Sequence, residues 1–426
     1  MSAFEHWIRI TPVATISTAV LYTTCVYLLI ARRQRDWLLG LFAPAIPSTR
    51  AYSGALDGYR GLAAAMVAFS HYVYWCYPVF WASKDCYPYL ISYGGNKAVA
   101  IFVILSGFLI YRSVRKLRTA GDVADYARRR FLRIYPLYLV SVIAVCATGQ
   151  LTCKLRTVLP EALMFRVFGY PSFANPVSWS LYVEIAFYVF LPVFVLATGR
   201  WVVWASVGAF ATLAIADPAG PREMYLWKFF FLGIVASELS DRLTARLSWT
   251  VAREVIGVAL VLLGLGTLYY DLGGKDADWV SRITRIPHNL AENTIGLGLG
   301  FALVLIGTMC SVIVSRVAGA GPLRFLGTIS FSVFLIHPFY ILANFPQLRF
   351  AAVGGIQSIF EPIGVAPWWY GFFIFAPGLI LWAAVSYLVI ERPFLLMRPG
   401  KTTSTDDSAT GHARQADLPT PSRIAA

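Results

Sequence analysis

Charge is scarce in this sequence. Only 14% of its 426 residues are Asp, Glu, Lys or Arg, against about 25% in soluble domains. Acidic residues are the scarcer sign, 22 against 36 basic. That shortage, with 58% hydrophobic residues and a mean hydropathy of +0.63, excludes a soluble multidomain protein. Cysteine is sparse too: there are six, none in a Cys-x-x-Cys pair, so no metal is expected. Cys76 and Cys86 flank one short loop, where a disulfide and two free thiols both stay open. Gly-x-Ser-x-Gly, Walker A and His-Glu-x-x-His motifs are missing, which argues against the common serine-hydrolase, NTPase and zinc-protease routes. No nucleic-acid-binding module accompanies the net charge of +14, so nucleic acid is not an expected partner. The basic residues read instead as topology signals on a chain whose partner is the lipid bilayer.

What the chain has in quantity is apolar runs of spanning length. A span needs about 20 such residues. Candidates fall at 10–30, 57–76, 97–111, 132–149, 179–198, 201–216, 224–239, 254–270, 292–314, 324–343 and 368–390. The expectation is an all-α polytopic membrane protein of about eleven transmembrane helices. Arg32, Arg33 and Arg35 place the end of the first span in the cytoplasm and the N-terminus outside. The densest basic stretch holds Arg112, Arg115, Lys116, Arg118, Arg128, Arg129, Arg130 and Arg133, and reads as cytoplasmic. The first segment lacks a signal-peptide exit and is expected to stay as a helix. The expected divisions are an N-terminal helix unit (1–35), a Pro-containing cytoplasmic linker (36–55), a membrane domain (56–398) and a disordered cytoplasmic tail (399–426).

Within the second span, LDGYRGLAAAMVAFSHYVYW, lie Asp57, Arg60 and His71. Arg60 and His71 are spaced by about three helical turns, so they share one face, roughly 16 Å apart. Ionisable groups inside a span are costly and face the bundle interior or a wet cavity. The topology puts His71, Glu184 and His337 at a similar depth in the outer half of the bilayer, with Ser106 near the middle. Ser106-Gly107 also fits close helix packing. The imidazole of His71 is suited to deprotonating a hydroxyl, with a carboxylate such as Glu184 supporting it. Arginines at the cytoplasmic mouth suit a multiply phosphorylated donor. A second class, a transporter with His71 and Glu184 as a proton relay, fits the same buried groups; it would move its substrate unchanged.

Six segments carry a resemblance: LDGYRGLAAAMVAFSH (56–71), FVILSGFLI (102–110), RRRFLRIYPLY (128–138), WSLYVEIAFY (179–188), FLGTISFSVFLIHP (325–338) and ERPF (391–394). In this order they resemble the acyltransferase-3 family of integral membrane O-acyltransferases, which modify sugars of bacterial glycans and some small molecules. Its Arg-x10-His element is met by Arg60 and His71, and its Arg-x-x-Arg element by Arg130 and Arg133. The resemblance implies a core of about ten helices, here with one more at the N-terminus, in a bacterial inner membrane with the C-terminus cytoplasmic. It implies acyl-CoA, acetyl-CoA above all, as co-substrate, and a glycan or lipid-linked sugar as acceptor. His71, Glu184 and His337 would then be catalytic, with Arg60, Arg130, Arg133 and Ser106 on the acyl-CoA. Some relatives carry a fused extracytoplasmic domain; this chain is expected to work alone or with a separate extracytoplasmic partner. The family often has a second acidic residue after Glu184, where this chain has Ile185.

Overall fold

The computed structural model describes residues 12–30, 40–42, 53–76, 87–147, 155–164, 175, 177–215, 222–247, 250–272, 295–344, 349–353, 356–360 and 371–397. The Cys76–Cys86 pairing and the tail at 399–426 lie outside the described residues, as do most of the 36–55 linker and of the outer segment 150–177.

The described chain is a helical bundle. In order it runs α1 (Pro12–Ile30), α2 (Ser53–Cys76), α3 (Tyr87–Val114), α4 (Ala120–Ala147), α5 (Leu155–Ala162), α6 (Trp179–Thr198) and α7 (Val202–Ile215). It continues through α8 (Arg222–Arg246), α9 (Thr250–Leu272), α10 (Ile295–Cys310), α11 (Val312–Ala318), α12 (Gly321–Thr328) and α13 (Ser330–Asn344). The last elements are α14 (Ala376–Ser386), set between π-turns at Gly371–Phe375 and Tyr387–Glu391, and the single-turn α15 (Arg392–Leu396). The described bundle is all-α, as expected, apart from one short hairpin. Arg349–Val353 (β1) and Ile356–Phe360 (β2) pair as an antiparallel hairpin, Arg349 opposite Phe360. The two residues between them in sequence are Gly354 and Gly355, a strong two-residue hairpin signal.

By length and composition alone, four described helices suffice to cross a membrane, or six if each of two bent pairs is one span. The chain is thus polytopic, while the expected eleven is a larger number. The difference has a chemical source. Helices α2, α4 and α8 are about 36, 42 and 38 Å long at 1.5 Å per residue, but they carry ionisable side chains: Asp57 and Arg60, then Arg128 to Arg133, then Glu238, Asp241 and Arg242. The expected spans at 179–198 and 201–216 form one helical run from Trp179 to Ile215, through a 3₁₀ turn at Gly199–Trp201.

The expected span 292–314 breaks after Cys310, where α10 and α11 meet at 111°. Ser311 caps α11 by accepting from the Val314 N–H at 3.1 Å. Glu254 of α9 accepts the Ser311 hydroxyl at 2.6 Å and the Val312 N–H at 2.7 Å. These polar groups satisfy the amides exposed at the new helix start. The span expected at 324–343 is bent likewise, by 67° between α12 and α13. The bend lets α12 lie on α2: a Cβ on Gly327 would come within 2.1 Å of the Asp57 carbonyl oxygen.

Outward surfaces are apolar. On α6, Val189, Val193 and Leu196 form an exposed stripe, with Phe187, Tyr188 and Leu191 on the buried side. Such stripes suit lipid, and close packing of small residues holds the helices together where no hydrophobic effect drives them. Helices α3 and α8 meet at Gly107 and Gly233; a Cβ on Gly107 would lie 2.2 Å from the Phe230 carbonyl oxygen. At the end of this pair Arg115 bonds Glu238 at 3.1 Å and Asp241 at 2.6 Å, and Arg112 pairs with Asp241 and Ser237. Two arginines of the dense basic stretch therefore join helices.

Prolines open carbonyls that distant hydroxyls then take. Pro192 has no N–H for the Tyr188 carbonyl, and the Tyr126 hydroxyl donates to it at 3.1 Å. Pro377 likewise leaves the Phe373 carbonyl, which accepts the Tyr22 hydroxyl at 3.0 Å. Thr18 donates to the Ile374 carbonyl beside it, and Trp382 Nε1–H donates to Ser17 Oγ at 2.8 Å. The N-terminal helix α1 is thus docked on α14 and its π-turn through hydroxyls.

Candidate active site

Two helices bring histidines together. His71 lies near the C-terminal end of α2 and His337 in the middle of α13. His71 Nδ1 is 2.9 Å from His337 Nε2, and the rings are nearly parallel with centroids 5.0 Å apart. His337 is fully buried. Its Nδ1 lies 3.2 Å from the Val333 carbonyl oxygen, with the Phe334 carbonyl also at hand. Pro338 explains part of this: it has no N–H for the Phe334 carbonyl and loosens the helix there.

The hydrogen-bond network assigns the tautomers. A carbonyl can only accept, so His337 Nδ1 carries the proton and Nε2 the lone pair. That lone pair accepts from His71 Nδ1–H. The second nitrogen of His71, Nε2, then carries a lone pair: the tautomer required of a general base.

A second cluster surrounds Glu184 of α6. Ser106 Oγ–H donates to its Oε1 at 3.0 Å, and the Tyr188 hydroxyl donates to the same oxygen. The Arg130 guanidinium lies over the Tyr188 ring at 4.9 Å and the Tyr126 ring at 5.6 Å. Among the described residues, Glu184's hydrogen bonds are those from Ser106 and Tyr188; His337, on another helix, is the partner against His71.

The third group is charged. Arg60 has Arg133, Asp57 and Glu184 as charged neighbours. Glu391 faces the same two arginines, is 5% exposed and accepts the Ser332 hydroxyl. A π-turn ends at Glu391, and such turns recur at functional sites. Arg60 and Arg133 thus come together, while Arg130 is directed to the tyrosines. Sequence reasoning gave no role to Glu391, Asp57, Ser332 or Tyr188. The available signal was the ERPF carboxylate at the end of an apolar run, and a Tyr one helical turn beyond Glu184.

A cavity of about 50 Å³ lies against Arg60, Ser106 and Glu184. Arg60, Ser106, Ser180, Glu184 and Ser330 supply its polar lining, and Phe102, Phe230, Phe331 and Phe334 its aromatic wall. The Phe334 ring is 6.1 Å from the His337 ring.

Apolar helices thus enclose a histidine pair, a hydroxyl–carboxylate pair and two clustered arginines. The chain matches the family described as an acyltransferase domain over residues 53–387 and belongs to the acyltransferase-3 family. Over 116 residues it is 31% identical to "Acyltransferase MdmB" of Streptomyces mycarofaciens. That alignment covers 23% of this chain and 28% of the relative, so the chain spans less than a third of the curated relative's length. No solved structure matches the chain.

Proposed function

We propose that this protein moves an acyl group, acetyl by preference, from cytoplasmic acyl-CoA to a sugar hydroxyl of a cell-surface or exported glycan. Its setting in this reading is a bacterial inner membrane, with the N-terminus outside and the C-terminus cytoplasmic. The observation that carries the reading is the His71–His337 hydrogen bond, with His337 Nδ1 bonded in turn to the Val333 carbonyl.

Arg60 and Arg133 bind phosphates of the donor; guanidinium forks suit phosphate oxygens. Asp57 and Glu391 position the two arginines and offset their mutual repulsion. Arg130 and Ser106 act through Glu184, which orients the reacting groups. His71 Nε2 takes the proton of the acceptor hydroxyl as its oxygen attacks the thioester carbonyl carbon. A C–O bond forms, the C–S bond breaks, and the departing thiolate takes that proton from the imidazolium to leave CoA thiol. His337 Nε2 holds the His71 Nδ1 proton throughout and disperses the positive charge that forms. A positioned base of this kind contributes roughly 10²- to 10⁴-fold.

Mass spectrometry of surface glycans from cells with and without the protein, and with His71→Ala, tests the reading. An added acyl mass that is present with the wild type and lost in the inserted variant is the expected result. Glycan masses that stay the same in all three remove the glycan acceptor. Substrate moved across the membrane unchanged would make the protein a transporter.

A further inference from the structure

A hydrogen bond between two helices depends on their spacing. His71 Nδ1 and His337 Nε2 stand 2.9 Å apart. A shift of about 0.7 Å would take them to about 3.6 Å, where no hydrogen bond remains. Among lipids no hydrophobic effect presses helices together, so local packing has to fix that spacing.

One side chain lies against both helices beside the pair. Phe375, the last residue of the π-turn Gly371–Phe375, is 1% exposed. Its ring stacks on Tyr72 of α2 with centroids 4.6 Å apart, and meets the Tyr340 ring of α13 at 5.0 Å. Tyr72 follows His71 in the chain, and Tyr340 stands about one helical turn beyond His337. Both tyrosines are buried. The backbone of the turn presses on the same ring, since a Cβ on Gly371 would lie 2.5 Å from Tyr72 Cε1. Two hydroxyls of α1 hold the turn itself: Tyr22 donates to the Phe373 carbonyl at 3.0 Å and Thr18 to the Ile374 carbonyl. Rigid rings packed at interior density transmit displacement instead of absorbing it.

We infer that Phe375 is a positioning residue for the transfer reaction. Wedged between Tyr72 and Tyr340, it fixes the spacing of α2 and α13, and with it the hydrogen bond that makes His71 Nε2 the proton acceptor. The inference rests on the acyl-transfer reading above and adds to it a residue that acts through the two tyrosines. Misplacing a reacting group by about 1 Å can cost about 10²-fold in rate. Loss of the ring should therefore lower kcat by about ten- to hundredfold, while KM for acetyl-CoA changes by less than about twofold.

The test joins nitrogen-15 NMR of the full chain in lipid bilayers, with labelled histidine, to transfer rates in the same membranes. The coupling between nitrogens across the His71–His337 bond is expected in the wild type and absent from His337→Ala. Phe375→Leu keeps a buried apolar side chain without the ring and should lose that coupling. Tyr340→Leu, which removes one of the two ring contacts, should weaken it in the same sense. Transfer of radiolabelled acetyl from acetyl-CoA should show the fall in kcat for Phe375→Leu. In a His337→Ala background the same substitution should cost less than about twofold, because groups that act through one bond are not additive. An unchanged coupling in both leucine variants, a wild type without the coupling, or an equal loss of kcat in both backgrounds overturns the inference. Coupling that depends on Phe375 in membranes that consume no acetyl-CoA keeps the wedge and overturns the acyl-CoA reading instead.

Discussion

His71 on α2 and His337 on α13 stand 2.9 Å apart, nitrogen to nitrogen, although 266 positions separate them in the chain. The bond sets which nitrogen of His71 holds a proton and which can take one. In the proposed reaction the two histidines carry unequal parts of the chemistry, so their substitutions should separate. His71→Ala removes the proposed base and should lower transfer by about 10²- to 10⁴-fold. His337→Gln keeps an acceptor near His71 Nδ1 and loses less than His337→Ala. Rates for the three variants, measured in membranes carrying equal amounts of inserted protein, check the order. Equal rates for His337→Gln and His337→Ala would contradict it.

Gly107 permits the close contact of α3 and α8. A methyl at this position would stand 2.2 Å from the Phe230 carbonyl oxygen, which cannot swing away. Gly107→Ala should cost about 1–3 kcal/mol or more through overpacking. Gly208→Ala and Gly266→Ala meet nothing within 4 Å and serve as controls. Thermal unfolding of the three variants in one detergent should show a loss for Gly107→Ala alone.

The Thr18 hydroxyl ties α1 to the Ile374 carbonyl at the π-turn before α14. Thr18→Val preserves shape and removes the donor, leaving that carbonyl without it in apolar surroundings. The expected cost is about 1–3 kcal/mol. Gly371 and Phe375 of the same π-turn abut Tyr72, the neighbour of His71, so transfer should fall with stability. Unchanged stability in this variant would mean that α1 is held by apolar packing alone.

Asp122 starts α4 with a reciprocal cap. Its carboxylate accepts the Arg118 and Thr119 N–H groups at 2.9 Å each, and Thr119 Oγ1 accepts the Asp122 N–H at 3.1 Å. Those backbone donors, with the Thr119 hydroxyl, hold the carboxyl below its ordinary value. A lowered folded-state pKa contributes stability above the unfolded value, about 3.9, and the contribution is lost as pH falls through the folded one. Hydrogen exchange at the Arg118 and Thr119 amides should lose protection only below about pH 4. Asp122→Asn should show no such step.

Much of this was legible in the chain. The helices follow from apolar runs too long for any soluble core, and the family motifs carry His71, His337, Glu184, Arg60, Arg130 and Arg133. The breaks at Ser311 and Ile329 were not legible. Each lies beside a contact with a residue far away in sequence, Glu254 in one case and Asp57 in the other. A hydropathy window sums residues along one segment and carries no information on which carboxylate or carbonyl will face it.

The sequence by itself determined that the protein lives among lipids and carries basic and imidazole groups within apolar segments, because composition and helical period act locally. Only the tertiary structure decided how those groups divide. It set His71 against His337, with Glu184 turned to Ser106 and Tyr188. It engaged Arg112 and Arg115 in helix pairing and brought Arg133 to Arg60. It also buried the ERPF carboxylate, Glu391, beside those two arginines. Such choices are made by close approach at glycines and by hydroxyls reaching carbonyls that prolines leave open. Both are contacts between helices, and neither is written in the period of any one of them.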